Sequence, residues 1–311
     1  MLLGALIQSI PDADFIAAFW NDPATNLLVH RGFTHSLFFA ILATSGGAVI
    51  AEHFHKQRRI GLNGWSWFLG TQFAVHIFID LFNNYGLGLF EPFSHYRYSF
   101  NALFVVDPLF TLGPAISFIM LIVLKARIRS RVFWWKFGVL SCTFYLLFST
   151  INKALIDRQV ARSIAYQQLP NKTWITTPTP LNNILWFVVV SNDSEYFIGF
   201  HSLFDRSPII NFTRFLRCDS LLKGVADHEE LQHLIRFSQG YYTIEKWHDT
   251  LVFNNLRFGQ MLGWKRPDEH FVFHYYLQKK GADNRLVVQR GRFAKWNKET
   301  LRSLWNRIRG N

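Results

Sequence analysis

Charge is scarce in this chain. Asp, Glu, Lys and Arg make up 17% of the 311 residues, against about a quarter in ordinary soluble domains, which excludes intrinsic disorder of the highly charged kind. Cysteine is scarcer still: Cys142 and Cys218 lie far apart without a spacing pattern, which excludes a disulfide framework and a cysteine-based zinc site. Met1 to Ile10 is apolar but lacks a basic n-region and a small-residue cleavage site before Pro11. It does not read as a signal peptide and fits the tail of a membrane span. Acidic residues are outnumbered 21 to 33 by basic ones, a net charge of +12 that suits either nucleic acid or membrane loops. Which of the two applies depends on where the charges lie.

What is abundant is apolar and aromatic: half the residues are hydrophobic, with 32 Phe and 11 Trp. Phe33 to Ala51 carries no formal charge and as a helix measures about 28 Å, close to a hydrocarbon core. Leu62 to Phe82 is interrupted only by Asp80, Ala102 to Leu124 only by Asp107, and Val132 to Ile151 only by Lys136. The expected fold is an α-helical multi-pass membrane bundle of about four to five spans over residues 1–151. Lys56, Arg58, Arg59, Lys125, Arg127, Arg129, Arg131 and Lys136 would mark its cytoplasmic side, since the opposite segments hold only Arg31 and Arg97. Trp65, Trp67, Trp134 and Trp135 are expected as interfacial anchors.

From Asn152 the texture changes. Ile184 to Ser191 and Glu195 to Leu203 alternate around Asn192-Asp193-Ser194, a hairpin signal, and Tyr241 to Trp247, Asp249 to Leu256 and His270 to Gln278 read as further strands. Asp227 with Glu230 resembles a capped helix start ending at Gly240. Residues 152–311 are therefore expected to form a small extracytoplasmic α+β domain with an antiparallel sheet. Its last helix, Lys298 to Arg309, lines up Leu301, Leu304, Trp305 and Ile308 and suits an anionic membrane surface. Residues 257–311 hold thirteen Lys or Arg against four Asp or Glu, but no recognition motif accompanies them, so the expected partner is the lipid bilayer rather than nucleic acid.

The chemistry-bearing residues fall at the ends of the apolar runs. His30, Arg31 and His35 precede or begin the first, and if the helix starts near His30, Arg31 and His35 share a face. His76 and Asp80 lie four apart on the second, a pair suited to a borderline cation such as Zn2+. Asp12 and Asp14 follow Pro11 on a turn, where adjacent acids attract a divalent ion. Asp107 before Pro108 reads first as a helix cap. Arg97 offers a planar fork for an anion, while Tyr96 and Tyr98 read equally as interface anchors. Any one histidine alone is a packed residue, and Asp80 paired with Arg31 or Arg97 is a structural ion pair. With the topology above, however, all the ionisable residues meet at one extracytoplasmic face, and together they point to a metal site.

Ser9-Ile10-Pro11-Asp12-Ala13-Asp14, His30-Arg31-Gly32-Phe33-Thr34-His35-Ser36-Leu37, the segment His76 to Asp80, Pro92-Phe93-Ser94, Arg97 and Val106-Asp107-Pro108-Leu109 resemble the YdjM-like family of bacterial membrane-bound, metal-dependent hydrolases. Thr177-Pro178-Thr179-Pro180-Leu181-Asn182-Asn183-Ile184-Leu185-Trp186 resembles its longer subgroup with a C-terminal extension. The resemblance implies a polytopic inner-membrane protein whose His and Asp residues bind metal, and more distantly a zinc phospholipase C kind of site. Members usually carry a further polar motif ahead of the point where this chain starts.

The expectation is then of one or two zinc ions held by Asp12, His30, His35, His76 and Asp80, with Asp14 as general base and Arg31 or Arg97 steadying negative charge on a lipid-borne phosphoester or ester. The competing expectations are a transporter or ion pathway relaying protons through His76, Asp80 and Asp107, and a structural membrane anchor for the C-terminal sheet.

Overall fold

The computed structural model describes residues 2–125, 128–223, 225, 228–277 and 296–310. Asp227 and Arg127, the end of the strand expected to reach Gln278, and most of the basic C-terminal run lie outside them. In chain order the helices are α1 (Leu2–Gln8), α2 (Pro23–Val29), α3 (Leu37–His55), α4 (Gly61–Asp80), α5 (Pro108–Val123), α6 (Ser130–Gln167), α7 (His228–Ser238) and α8 (Lys298–Ile308). The strands are β1 (Thr173–Pro178), β2 (Leu185–Ser191), β3 (Glu195–Ser202), β4 (Thr213–Leu216), β5 (Tyr242–Trp247), β6 (Thr250–Gln260) and β7 (Phe271–Leu277). Two units emerge. The first takes Met1–Phe100 and Val225–Gly240, and the second takes Asn101–Gly224, Tyr241–Leu277 and the C-terminal helix.

In the first unit, Pro and short polar side chains start the helices. Asp22 accepts the Thr25 N–H at 2.8 Å ahead of α2, and Ser36 accepts the Phe39 N–H at 3.0 Å ahead of α3. Ile7 of α1, Ala48 of α3 and Trp65, Leu69 and Phe73 of α4 form the core. The small side chains Ala40, Ala43, Ala48 and Ala51 let α3 approach α4 closely. Trp65, expected at an interface, is instead a core residue with 4% of its surface exposed, while Trp67 two positions on is exposed.

The expected four to five spans are not found. Among the described residues only two helical stretches are long and apolar enough to cross a bilayer: Leu37–Arg58, with 22 residues, and Ser130–Gln167, with 38. The expectation counted formal charges, but crossing also penalises uncharged polar groups. The 20 residues of α4 include Asn63, Ser66, Thr71, Gln72 and His76, and α5, with 16, rises only about 24 Å.

The second unit stacks a helix and two antiparallel sheets, where one sheet was expected. β1-β2-β3-β4 form the first and β5-β6-β7 the second. Alternation along β2 sends Trp186, Val188 and Val190 to one face, where Ile156, Val160 and Ile164 of α6 meet them at four-residue spacing. Phe187 and Val189 go to the other face and pack on Leu256 and Phe271 of the second sheet. So α6 continues as one helix past Asn152, apolar in its first half and serving as a core helix in its second. Asn152 Nδ2 donates to the Asn183 carbonyl at 2.7 Å, and Asn182 Oδ1 accepts from Ile184 N and Leu185 N, which shapes the Pro-Asn-rich turn before β2. α8 buries Leu304 and Ile308 against Leu185 and leaves Leu301 and Trp305 exposed.

Candidate metal centre

The residues of interest in the first unit come from three short pieces of backbone. Pro11 opens a 3-10 helix, Pro11–Phe19, that carries Asp12 and Asp14; a turn was expected there. α2 ends at His30, and Arg31 then takes the left-handed conformation with φ 58°. Gly32 follows because a Cβ there would lie 2.8 Å from the Leu28 carbonyl oxygen. This reversal aims the His30 ring and the Arg31 N–H at the same carboxylate. His30 Nδ1 lies 2.9 Å from Asp14 Oδ1, and Arg31 N donates to Asp14 Oδ2 at 2.7 Å. Arg31 and His35 consequently share no helix face, since α3 begins only at Leu37. His35 sits in the short helical turn Phe33–His35 and is fully buried.

Asp12, His35, His76 and Asp80 offer one ligand atom each, all within 4.8 Å of one another. His35 Nε2 lies 3.2 Å from His76 Nε2, 3.4 Å from Asp12 Oδ1 and 3.6 Å from Asp80 Oδ2. His76 Nε2 lies 3.8 Å from Asp12 Oδ1 and 3.7 Å from Asp80 Oδ2. Zn–N and Zn–O bonds of about 2.0–2.2 Å in a tetrahedron put neighbouring ligand atoms about 3.3–3.6 Å apart. Five of the six edges of this cluster therefore fall on or near the values zinc requires. Asp80 Oδ2 is buried with no hydrogen-bond donor, a position that a cation satisfies.

The surrounding groups set the state of the ligands. His35 Nδ1 faces Thr34 Oγ1 at 3.1 Å and Asp14 Oδ2 at 3.5 Å, so Nε2 is the nitrogen turned to the cluster. The Gln8 backbone lies beside the His76 ring. The His35 hydrogen bond, with help from the positive neighbours, holds the Asp12 carboxyl below its usual range. Burial pushes Asp14 up, but the His30 bond and the Arg31 N–H outweigh it, and the net direction is down. Burial also lowers His76, against the pull of Asp80 and Asp12. A lowered Asp12 carboxyl beside a lowered His76 imidazole is the direction that suits metal uptake, since a ligand must give up its proton to the metal.

The remaining sequence-singled residues are divided by the structure. His30 and Asp14 pair with each other beside the cluster, not within it. Arg31 reaches it, with Nε 3.5 Å from Asp80 Oδ2. Arg97 does not: buried, it donates to the carbonyls of Leu28, His30 and Gly86 at 3.1, 2.9 and 2.9 Å. Asp107 lies in the second unit, where it caps α5 through Leu109 N and accepts the Tyr145 hydroxyl at 2.8 Å. Thr34, Tyr85 and Gln8 were not singled out from sequence. Thr34 was visible inside the His30 to Ser36 motif, but nothing in the sequence marks Gln8.

A helical unit bearing a four-residue His/Asp cluster, in a chain with two bilayer-length apolar helices, defines a membrane protein with a candidate metal centre. The chain belongs to the family described as YdjM inner membrane protein, whose model matches residues 1–156 and so includes all four cluster residues. A curated relative from Bacillus subtilis (strain 168), described as "Uncharacterized protein YfhP", is 32% identical over 102 residues, which is 32% of this chain and 29% of the relative. The match thus spans less than a third of that relative's length. No solved structure matches the chain.

Proposed function

We propose that this protein is a metal-dependent hydrolase of the bacterial inner membrane, with Zn2+ held by Asp12, His35, His76 and Asp80 at the outer face. The near-tetrahedral spacing of those four ligand atoms, 3.2–3.8 Å over five edges, carries the reading. A bound zinc ion supplies Lewis acidity and lowers the pKa of water toward neutrality. The chain's own groups do the rest. Asp14 fixes the His35 ring through Nδ1. Arg31, whose Nε and Nη1 are buried without hydrogen-bond partners, carries a positive charge beside the cluster that suits a phosphoryl or ester oxygen. The flanking apolar helix α3, with Ile41, Leu42, Val49 and Ile50 exposed, favours a lipid-borne substrate.

The test compares purified wild type with the double variant His76→Ala, Asp80→Ala. Elemental analysis is expected to find close to one zinc or more per wild-type chain and almost none in the variant. Hydrolysis of phospholipids and lipid phosphates is expected from wild type alone. Equal, near-zero zinc in both proteins overturns the proposal.

A further inference from the structure

α7 follows the second unit's first sheet in sequence and lies beyond the family-matched residues 1–156, yet it belongs to the first unit. Its contacts there are specific. His233 Nδ1 meets Thr25 Oγ1 of α2 at 3.0 Å, and Arg236 Nη2 donates to Glu91 at 3.1 Å. Phe237, fully buried, places its ring 6.3 Å from the Tyr85 ring and 5.8 Å from the Arg97 guanidinium carbon. Just past the helix, Gln239 Nε2 donates to the Arg97 carbonyl at 2.7 Å.

Both residues met by Phe237 lead to the cluster. The Arg31 guanidinium lies 5.3 Å over the Tyr85 ring, and the Tyr85 ring meets His30 edge-on at 6.2 Å. Arg31 is the cation nearest the unbonded Asp80 Oδ2, at 3.5 Å, and His30 holds Asp14. Arg97 grips the His30 carbonyl. Arg31 faces the same Asp80 oxygen that a metal ion would take, and the Tyr85 face fixes the position of the guanidinium by a cation–π contact. Among the described residues, the core that joins α1, α3 and α4 is drawn from those three helices.

We infer that α7 is a positioning element of the metal centre: Phe237 fixes Tyr85 and Arg97, and through them sets where the Arg31 guanidinium sits beside Asp80 and holds His30 on Asp14. The inference rests on the metal-site reading above. Its test is zinc titration of the full chain in detergent against a chromophoric chelator, for wild type, Phe237→Ala and Phe237→Leu, with the melting temperature of each metal-free protein measured alongside. Leu keeps most of the apolar bulk and removes the aromatic face, so it decides the question even if the Ala variant fails to fold. Both variants are expected to bind zinc about tenfold more weakly, with the Leu variant melting close to wild type. Wild-type affinity in the Leu variant overturns the inference and leaves the metal site standing. A wild-type protein that binds no zinc overturns the metal site itself.

Discussion

Asp14 and Asp12 are two residues apart and do different work. Asp12 contributes an oxygen to the cluster, while Asp14 accepts from Arg31 N and Thr34 Oγ1 and faces two imidazoles. Replacing Asp14 by Asn keeps its shape but removes the negative charge that the His30 and His35 rings face. Zinc affinity is expected to fall about tenfold to a hundredfold, measured by chelator competition, with zinc still bound at saturation; unchanged affinity would remove Asp14 from the site's support. The i, i+4 spacing of His76 and Asp80 and the Pro11-Asp12 turn signal were readable from sequence. The division of labour between His30 and His35 was not, because it depends on a left-handed Arg31 that turns His30 back onto Asp14. Arg97 was open to misreading for a similar reason: a guanidinium serving three backbone carbonyls looks, in sequence, like one awaiting an anion.

Helix α8 is fastened by one carboxylate. Asp205 accepts a forked pair from Arg307 at 2.5 and 2.8 Å, the Ser202 N–H at 2.9 Å, and faces His201 Nδ1 at 3.1 Å. Burial pushes its pKa up, but His201, Arg307 and the Ser202 N–H together carry it well below the ordinary range. A depressed folded-state value means the stabilisation is complete above about pH 4 and is lost as the pH falls through the lower folded value. Arg307→Ala is expected to cost about 3 kcal/mol at neutral pH, seen in urea unfolding followed by Trp264 and Trp296 fluorescence, with the gap from wild type shrinking in strong acid; a constant gap would contradict this. The hairpin around Asn192 and the later strands were legible because they are runs of aromatic and β-branched residues bounded by turn residues; β2 is buried at six consecutive positions, on both faces. β1 and β4 were not, being short and flanked by Lys, Arg and Asn. α4 was misread as a span because glycine and uncharged polar residues do not register in a count of charges.

Among the described residues, α3, α5 and the first half of α6 expose much apolar surface, Ile41, Leu112, Ile119, Leu140, Phe144 and Leu147 included. Burying such surface in lipid at about 25 cal/mol per Å2 makes peripheral attachment inadequate. The protein is expected to stay in the membrane pellet after alkaline carbonate washing; release into the supernatant would contradict the membrane assignment. The proposed sidedness has its own check. With Cys142 and Cys218 replaced by Ser, a cysteine at Tyr96 should be labelled in intact cells by an impermeant maleimide and one at Arg129 should not; the reverse pattern inverts the orientation. The first unit is also discontinuous in sequence. The ribosome must translate all of β1 to β4 before His228–Ser238 exists to dock against α2 and Tyr85. For that interval the nascent N-terminal helices carry their histidines and aspartates without the wedge that steadies Arg31. On the role inferred for α7, competence to capture metal would come only in the late stages of synthesis.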